Sequence, residues 1–271
     1  MFLTRLISGI IVLAIAVAAM LLGGDVLFLF TMAITLIGLY ELYKAAGIEK
    51  TWLGYLGLAG TVIYDLVMRF FPGGELMAAA VAALMIMSAY VFMFPKYKVH
   101  EAFSGLSGIL YVTVLMSFIY KVRILPDGLY VIPMIFICAW GNDTCAYCVG
   151  MLLGKHKMFP VLSPKKSVEG FVGGIVGAAA LGLIYGSIFG THLPSLVNPA
   201  VSCMVIGAVG ALIAVVGDLS ASAVKRDTGI KDYGRLIPGH GGILDRFDSI
   251  LFTAPVVYIL AVILGSFAPQ L

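Results

Sequence analysis

The feature that most constrains this chain is the recurrence of apolar runs about as long as a bilayer is thick, roughly 20 residues for a helix. Nine such runs, at about 4–22, 26–43, 52–68, 76–94, 103–120, 129–153, 169–190, 199–221 and 247–267, are separated by short polar breaks. They are continuous and show no two-residue alternation, which excludes a membrane β-barrel. With 61% hydrophobic and 11% charged residues and a mean hydropathy of +1.07, the chain is also outside the range of soluble globular domains. The predicted fold is all-α, a polytopic integral membrane protein of about nine transmembrane helices. Arg5 precedes the first run, which reads as a retained anchor because it is longer than a signal-peptide core and further spans follow. Five helices make an N-terminal transmembrane region, 1–125. Four more, with polar loops at 154–168 and 222–246, make a C-terminal region, 126–271, expected to be catalytic.

Charge supplies the orientation. If the connections alternate sides, 14 of the 17 Lys and Arg fall on one side, and only Arg69, Lys121 and Arg123 on the other. By the positive-inside rule the N-terminus is cytoplasmic and the C-terminus outside. The chain is thus expected in the plasma (cell inner) membrane, with its charged loops in the cytoplasm.

Carboxylates within spans are costly unless they face a partner or a cavity. Glu41 and Asp65 each have a cation one helical turn away, Lys44 and Arg69, so structural pairing is the expected role. Asp143 and Asp218 have none, and both fall in the cytoplasmic half of their helices. They read as walls of a polar pocket or as acids satisfying a buried hydroxyl or amide. Cys145 and Cys148 form a CxxC without a second ligand pair, and with Cys138 and Cys203 they read as small buried apolar residues. The loop after Asp143 carries Lys165 and Lys166 ahead of Ser167 and Glu169, which look like a helix start. It suits phosphate binding at that helix end or attraction to anionic headgroups. Glycines 170, 173, 174 and 177 read as close helix packing.

The polar stretch from Ser222 to Asp248, SAVKRDTGIKDYGRLIPGHGGILDRFD, holds ten charged side chains counting His240. Its glycines and Pro238 mark it as an ordered loop. Asp245 and Asp248, three apart at the start of the last helix, share a face. With Asp218 they offer the hard oxygens that Mg²⁺ prefers. Lys225, Arg226, Lys231 and Arg235 exceed what the local acids neutralise. Carboxylates for a metal beside surplus cations for an anion suit a nucleoside triphosphate. His240 reads as a phosphate or loop contact rather than a proton carrier.

The pattern S-x-x-K-R-x-x-x-x-K-D-x-G-x-x-x-P-G-H-G-G-x-x-D-R-x-D, complete here from Ser222 to Asp248, resembles the signature of the phosphatidate cytidylyltransferase (CDP-diacylglycerol synthase) family. GDLSAS from Gly217 and SPKKSVEG are also similar, with Ser167 and Val168 where Thr and Trp are expected. The resemblance is specific over about 140–250 and topological before that. It implies that CTP and phosphatidic acid give CDP-diacylglycerol and pyrophosphate in phospholipid biosynthesis. It further implies metal ligation by Asp218, Asp245 and Asp248, usually of Mg²⁺ and with K⁺ in addition, and a homodimer among membrane lipids. Asp218, Lys225, Arg226, Asp245 and Asp248 are the expected catalytic residues. Asp143, Lys165, Lys166, Ser222, Lys231, Asp232, Arg235, His240 and Arg246 are expected to bind substrate. Nucleic acid is not an expected partner. A CTP-dependent polyprenol or phytol kinase, which would release CDP, and an ion-coupled transporter are the alternatives.

Overall fold

The computed structural model describes residues 2–239 and 241–265, and His240 lies outside them. Among the described residues the chain runs through α1 (Phe2–Leu22), α2 (Gly24–Ala45), α3 (Trp52–Phe70) and α4 (Glu75–Phe92). It continues through α5 (Val99–Arg123), α6 (Gly128–Leu153), α7 (Val168–His192), α8 (Pro199–Asp227) and α9 (Leu244–Leu264). Helices α2 to α9 are each long and apolar enough to cross a bilayer, while in α1 the apolar stretch is Ile11–Leu22. The protein is a multi-pass, all-α membrane protein. Its small exception is a hairpin of β1 (Lys157–Phe159) antiparallel to β2 (Ser163–Ser167).

The described residues form two compact units, one of 2–117 with 227–247 and the other of 118–226 with 248–265. In the first, Leu53, Ala82, Ile86, Tyr97, Ala102 and Ile109 form a buried apolar cluster. Some polar side chains are matched across helices, as a low-dielectric interior favours. The Tyr43 hydroxyl donates to the Gly105 carbonyl at 2.7 Å, and Thr61 and Thr113 share a 2.7 Å hydrogen bond. Glu41 does not depend on Lys44 for a structural partner: its carboxylate accepts the Ile243 and Leu244 N–H groups at 3.2 and 2.9 Å. Arg69 pairs with Asp25 at 2.8 Å rather than with Asp65. Lys44 is within electrostatic reach of Glu41 without meeting it in a close ion pair, because the acid is buried and the lysine exposed; Arg69 is drawn away from the buried Asp65 to another helix.

In the second unit, α6 and α7 pack backbone against backbone along the predicted glycines. A Cβ on Gly173 would lie 2.5 Å from Val149, and one on Gly177 2.5 Å from Cys145. Gly170 and Gly174 face Ala146 and Asn142 in the same seam. All four cysteines are free; Cys138 and Cys203 are buried as expected, but Cys148 is exposed.

Two loop boundaries differ from expectation. Helix α8 continues through Asp227, so Ser222, Lys225 and Arg226 are helical. No breaker precedes Gly229, whose φ is +69°, and Lys225 and Arg226 suit the negative end of the helix dipole. The loop at 154–168 contains the hairpin, whose strands of 3 and 5 residues carry no strand periodicity that a sequence reading could detect.

Candidate active site

The first unit carries a loop at 228–239 and 241–243. Asp245, only 8% exposed, accepts the backbone N–H groups of Tyr233 at 2.8 Å and Gly242 at 3.0 Å through one oxygen, Oδ2. The turn closes where the Ile237 N–H donates to the Gly241 carbonyl at 2.9 Å. Gly241 takes φ +88° with the Asp245 carboxylate against its Cα, a backbone conformation that favours glycine. Gly234 and Gly242 both abut the Glu41 carboxylate so closely that a Cβ on either would overlap it. Glu41 thus satisfies two of the free N–H groups near the start of α9, supplying from α2 what a local cap supplies elsewhere. The loop leaves Lys231, Asp232, Arg235 and Arg246 exposed.

Glu41 was missed as a site residue by sequence reasoning. Its signal was an acid in the last turn and a half of an apolar span; the partner, 202 residues away, carried none.

The second unit brings together residues far apart in sequence. A π-helical turn at Ile137–Gly141 immediately precedes Asn142 and Asp143 in α6; such turns recur at functional sites because they re-aim the side chains that follow. Asp143 lies ten residues from the end of α6 and Asp218 nine from the end of α8, about 15 and 14 Å along the axes at 1.5 Å per residue. Gly217 lets α9 approach α8, since a Cβ there would lie 2.7 Å from the Asp248 carbonyl oxygen and 3.1 Å from Phe252. Asp248 therefore sits within electrostatic reach of Asp218, Lys225 and Asp143.

Lys166 reaches from β2 to Asp218, its Nζ 2.5 Å from Oδ2. The angles do not make a hydrogen bond, so the buried nitrogen has its charge countered but its N–H groups unmatched. Ser167 caps α7 by accepting the Gly170 N–H at 3.1 Å, as its place before the helix predicted. Glu169 accepts the Lys155 N–H at 3.1 Å and meets His156 Nδ1 at 2.6 Å, clamping the start of the hairpin loop.

Beside these residues lies a cavity of about 390 Å³. Its polar lining is Asn142, Asp143, Lys165, Lys166 and Ser167; Tyr147, Met151, Phe171 and Val215 are among its apolar residues. Asn142 is 1% exposed, yet neither its amide oxygen nor its nitrogen has a hydrogen-bond partner. A buried amide left so is costly. The cavity therefore combines apolar walls, two lysines and an unsatisfied amide, a lining that suits an amphiphile with a phosphate.

Carboxylate oxygens are the donors that a hard divalent cation takes, and the ammonium drawn against Asp218 marks that carboxylate as a cation position. Among the described residues no three His, Cys, Asp or Glu side chains gather into a metal-holding group. Mg²⁺ does not require one, since it is commonly held by one or two carboxylates with the substrate's phosphates completing its shell. The residues present fit such an ion.

The model of the cytidylyltransferase family matches residues 3–264. The chain belongs to the cytidylyltransferase family. It is 33% identical over 264 residues to the phosphatidate cytidylyltransferase of Staphylococcus epidermidis, covering 95% of this chain and 98% of that one. The phosphatidate cytidylyltransferases of Staphylococcus saprophyticus and Staphylococcus aureus are 34% and 33% identical over the same length. For a cytidylyltransferase the pairing of carboxylates with lysines has a direct use: nucleotidyl transfer needs the charge on reacting and departing phosphates neutralised more than it needs a protein nucleophile. These relatives are all named phosphatidate cytidylyltransferases, and the chain is an enzyme of nucleotidyl transfer.

Proposed function

We infer that the protein is a phosphatidate cytidylyltransferase, converting CTP and phosphatidic acid to CDP-diacylglycerol and pyrophosphate in phospholipid biosynthesis. The observation that carries this reading is the match to phosphatidate cytidylyltransferases over nearly the whole of both chains. The acid and lysine cluster beside a cavity with apolar walls supports it.

In the reaction an oxygen of the lipid phosphate attacks the α-phosphorus of CTP. A new P–O bond forms, the bond from the α-phosphorus to the bridging oxygen breaks, and pyrophosphate leaves with that electron pair. The nucleophile is ionised near neutral pH, so no protein base is needed. Lys165 and Lys166 hold the lipid phosphate at the cavity. Lys225, Arg226, Lys231 and Arg235 offset the charge of the triphosphate and of pyrophosphate, and Ser222, Asp232, Arg246 and His240 complete substrate binding. Asp143 orients the lysines electrostatically.

Asp218 and Asp248 would hold Mg²⁺, which would supply charge neutralisation at the α-phosphate and at the departing pyrophosphate. Asp245, one helical turn before Asp248, is assigned two tasks: metal ligand, by resemblance to the family, and organiser of the 228–243 loop, by its bonds to Tyr233 and Gly242. An accessory K⁺ and a homodimer follow from the same resemblance. With the N-terminus cytoplasmic and the C-terminus outside, the reacting groups lie near the cytoplasmic surface of the plasma membrane, where a soluble nucleotide and a lipid headgroup can meet.

The test is incubation of the purified protein in phosphatidic acid vesicles with Mg²⁺ and CTP labelled at the α-phosphorus. Label is expected in the lipid fraction as CDP-diacylglycerol. Label remaining soluble as CDP, or no turnover of CTP, overturns the assignment.

A further inference from the structure

Lys166 stands where a cation at Asp218 would stand. Its Nζ is buried and 2.5 Å from Asp218 Oδ2, with no hydrogen bond to anchor it. Both side chains are only partly covered, 25% and 28% exposed, so neither is locked in by packing. Around the pair, Asp248 lies within electrostatic reach of Asp218, Lys225 and Asp143, so three carboxylates share this region with the lysines. A buried ammonium with unmatched N–H groups gives up little when another cation replaces it, since it has desolvation to recover. Lys166 lines the cavity of about 390 Å³ together with Lys165 and Asn142, so the released ammonium has room for an anion within its own reach.

We propose that Lys166 is a resident stand-in for the divalent cation at Asp218, displaced when that cation arrives and thereby delivered to the phosphate in the cavity. Cation and phosphate then bind cooperatively through one side chain. The cation takes over neutralisation of Asp218, and like-charge repulsion at contact distance drives the ammonium away. The freed lysine adds a positive charge to the cavity where the anion is to bind. By reciprocity an anion that captures Lys166 exposes Asp218 and tightens the cation by the same factor. The role is one of positioning and coupling. It rests on the reading of Asp218 as a metal ligand.

The test reads Lys166 itself. The protein in lipid nanodiscs, without nucleotide or phosphatidic acid, is treated briefly with an amine-acetylating ester, and modification of Lys165 and Lys166 is quantified by peptide mass spectrometry. Lys165, exposed in the same strand, is the internal reference. Mg²⁺ is expected to raise the Lys166 to Lys165 ratio at least threefold over choline chloride of matched ionic strength. In Asp218→Asn the ratio is expected to be high from the start and insensitive to Mg²⁺. A wild-type ratio that Mg²⁺ leaves unchanged or lowers overturns the proposal, and so does an Asp218→Asn ratio that still responds. The wild-type comparison decides even where the variant does not fold. Turnover on the same preparation separates the two claims. CDP-lipid formation with an unresponsive Lys166 defeats the coupling alone, whereas a responsive Lys166 in a protein that makes no CDP-lipid defeats the functional assignment alone.

Discussion

Glu41 and Asp218 are both acids within long apolar helices, and their surroundings give them opposite work. Glu41 is enclosed by backbone, accepting two N–H groups and touching Gly234 and Gly242, so its task is to hold the loop. Glu41→Ala would leave those N–H groups unmatched at a cost of about 2 kcal/mol, and a lowered melting temperature with weakened CTP turnover is expected. Unaltered stability and turnover would show that the loop holds itself. Asp218 instead faces the Lys166 ammonium. Asp218→Asn is expected to cut CDP-lipid formation roughly 100-fold or more, the scale of losing a key electrostatic group, with insertion and melting temperature nearly unchanged. At this scale the sequence exposed Asp143 and Asp218 as candidates because carboxylates in apolar runs are conspicuous, and Asp245 and Asp248 because they stand three apart in a charged stretch that opens a helix. It concealed Glu41's partner and the Lys166–Asp218 pair, because both join segments distant in the chain and no local spacing encodes them.

At the level of elements, hydropathy located the helices because membrane depth forces every backbone group into a helix. The run predicted at 52–68 is α3 at Trp52–Phe70, and that at 129–153 is α6 at Gly128–Leu153. The polar continuation of α8 to Asp227 was hidden, since helical residues beyond the hydrocarbon lose the apolar signal while keeping their hydrogen bonds. The π-helical turn before Asn142 was hidden too, as it leaves no compositional trace. The seam of α6 and α7 was legible in its glycines. Gly173→Val and Gly177→Val should each overpack it, costing about 1–3 kcal/mol or more, seen as a reduced yield of monodisperse protein in size-exclusion chromatography. Gly173→Ala should be milder than Gly173→Val, and equal effects would argue against a steric seam.

For the whole molecule, the count and direction of spans decide where chemistry can occur. The proposed topology puts 14 of the 17 basic residues in the cytoplasm. Alkaline phosphatase fused after Leu125 should be active, its attachment point being outside, whereas fusion after Lys157 should be inactive. The reverse pattern would place the acids and lysines on the face that CTP does not reach. The central claim is that these helices assemble a site for cytidylyl transfer onto a lipid phosphate. Its most direct test is product stoichiometry in vesicles containing phosphatidic acid, with CTP and Mg²⁺. One pyrophosphate released for each cytidine that becomes lipid-bound is the predicted result. CDP released in step with a newly phosphorylated lipid, with no cytidine in the membrane, would contradict it.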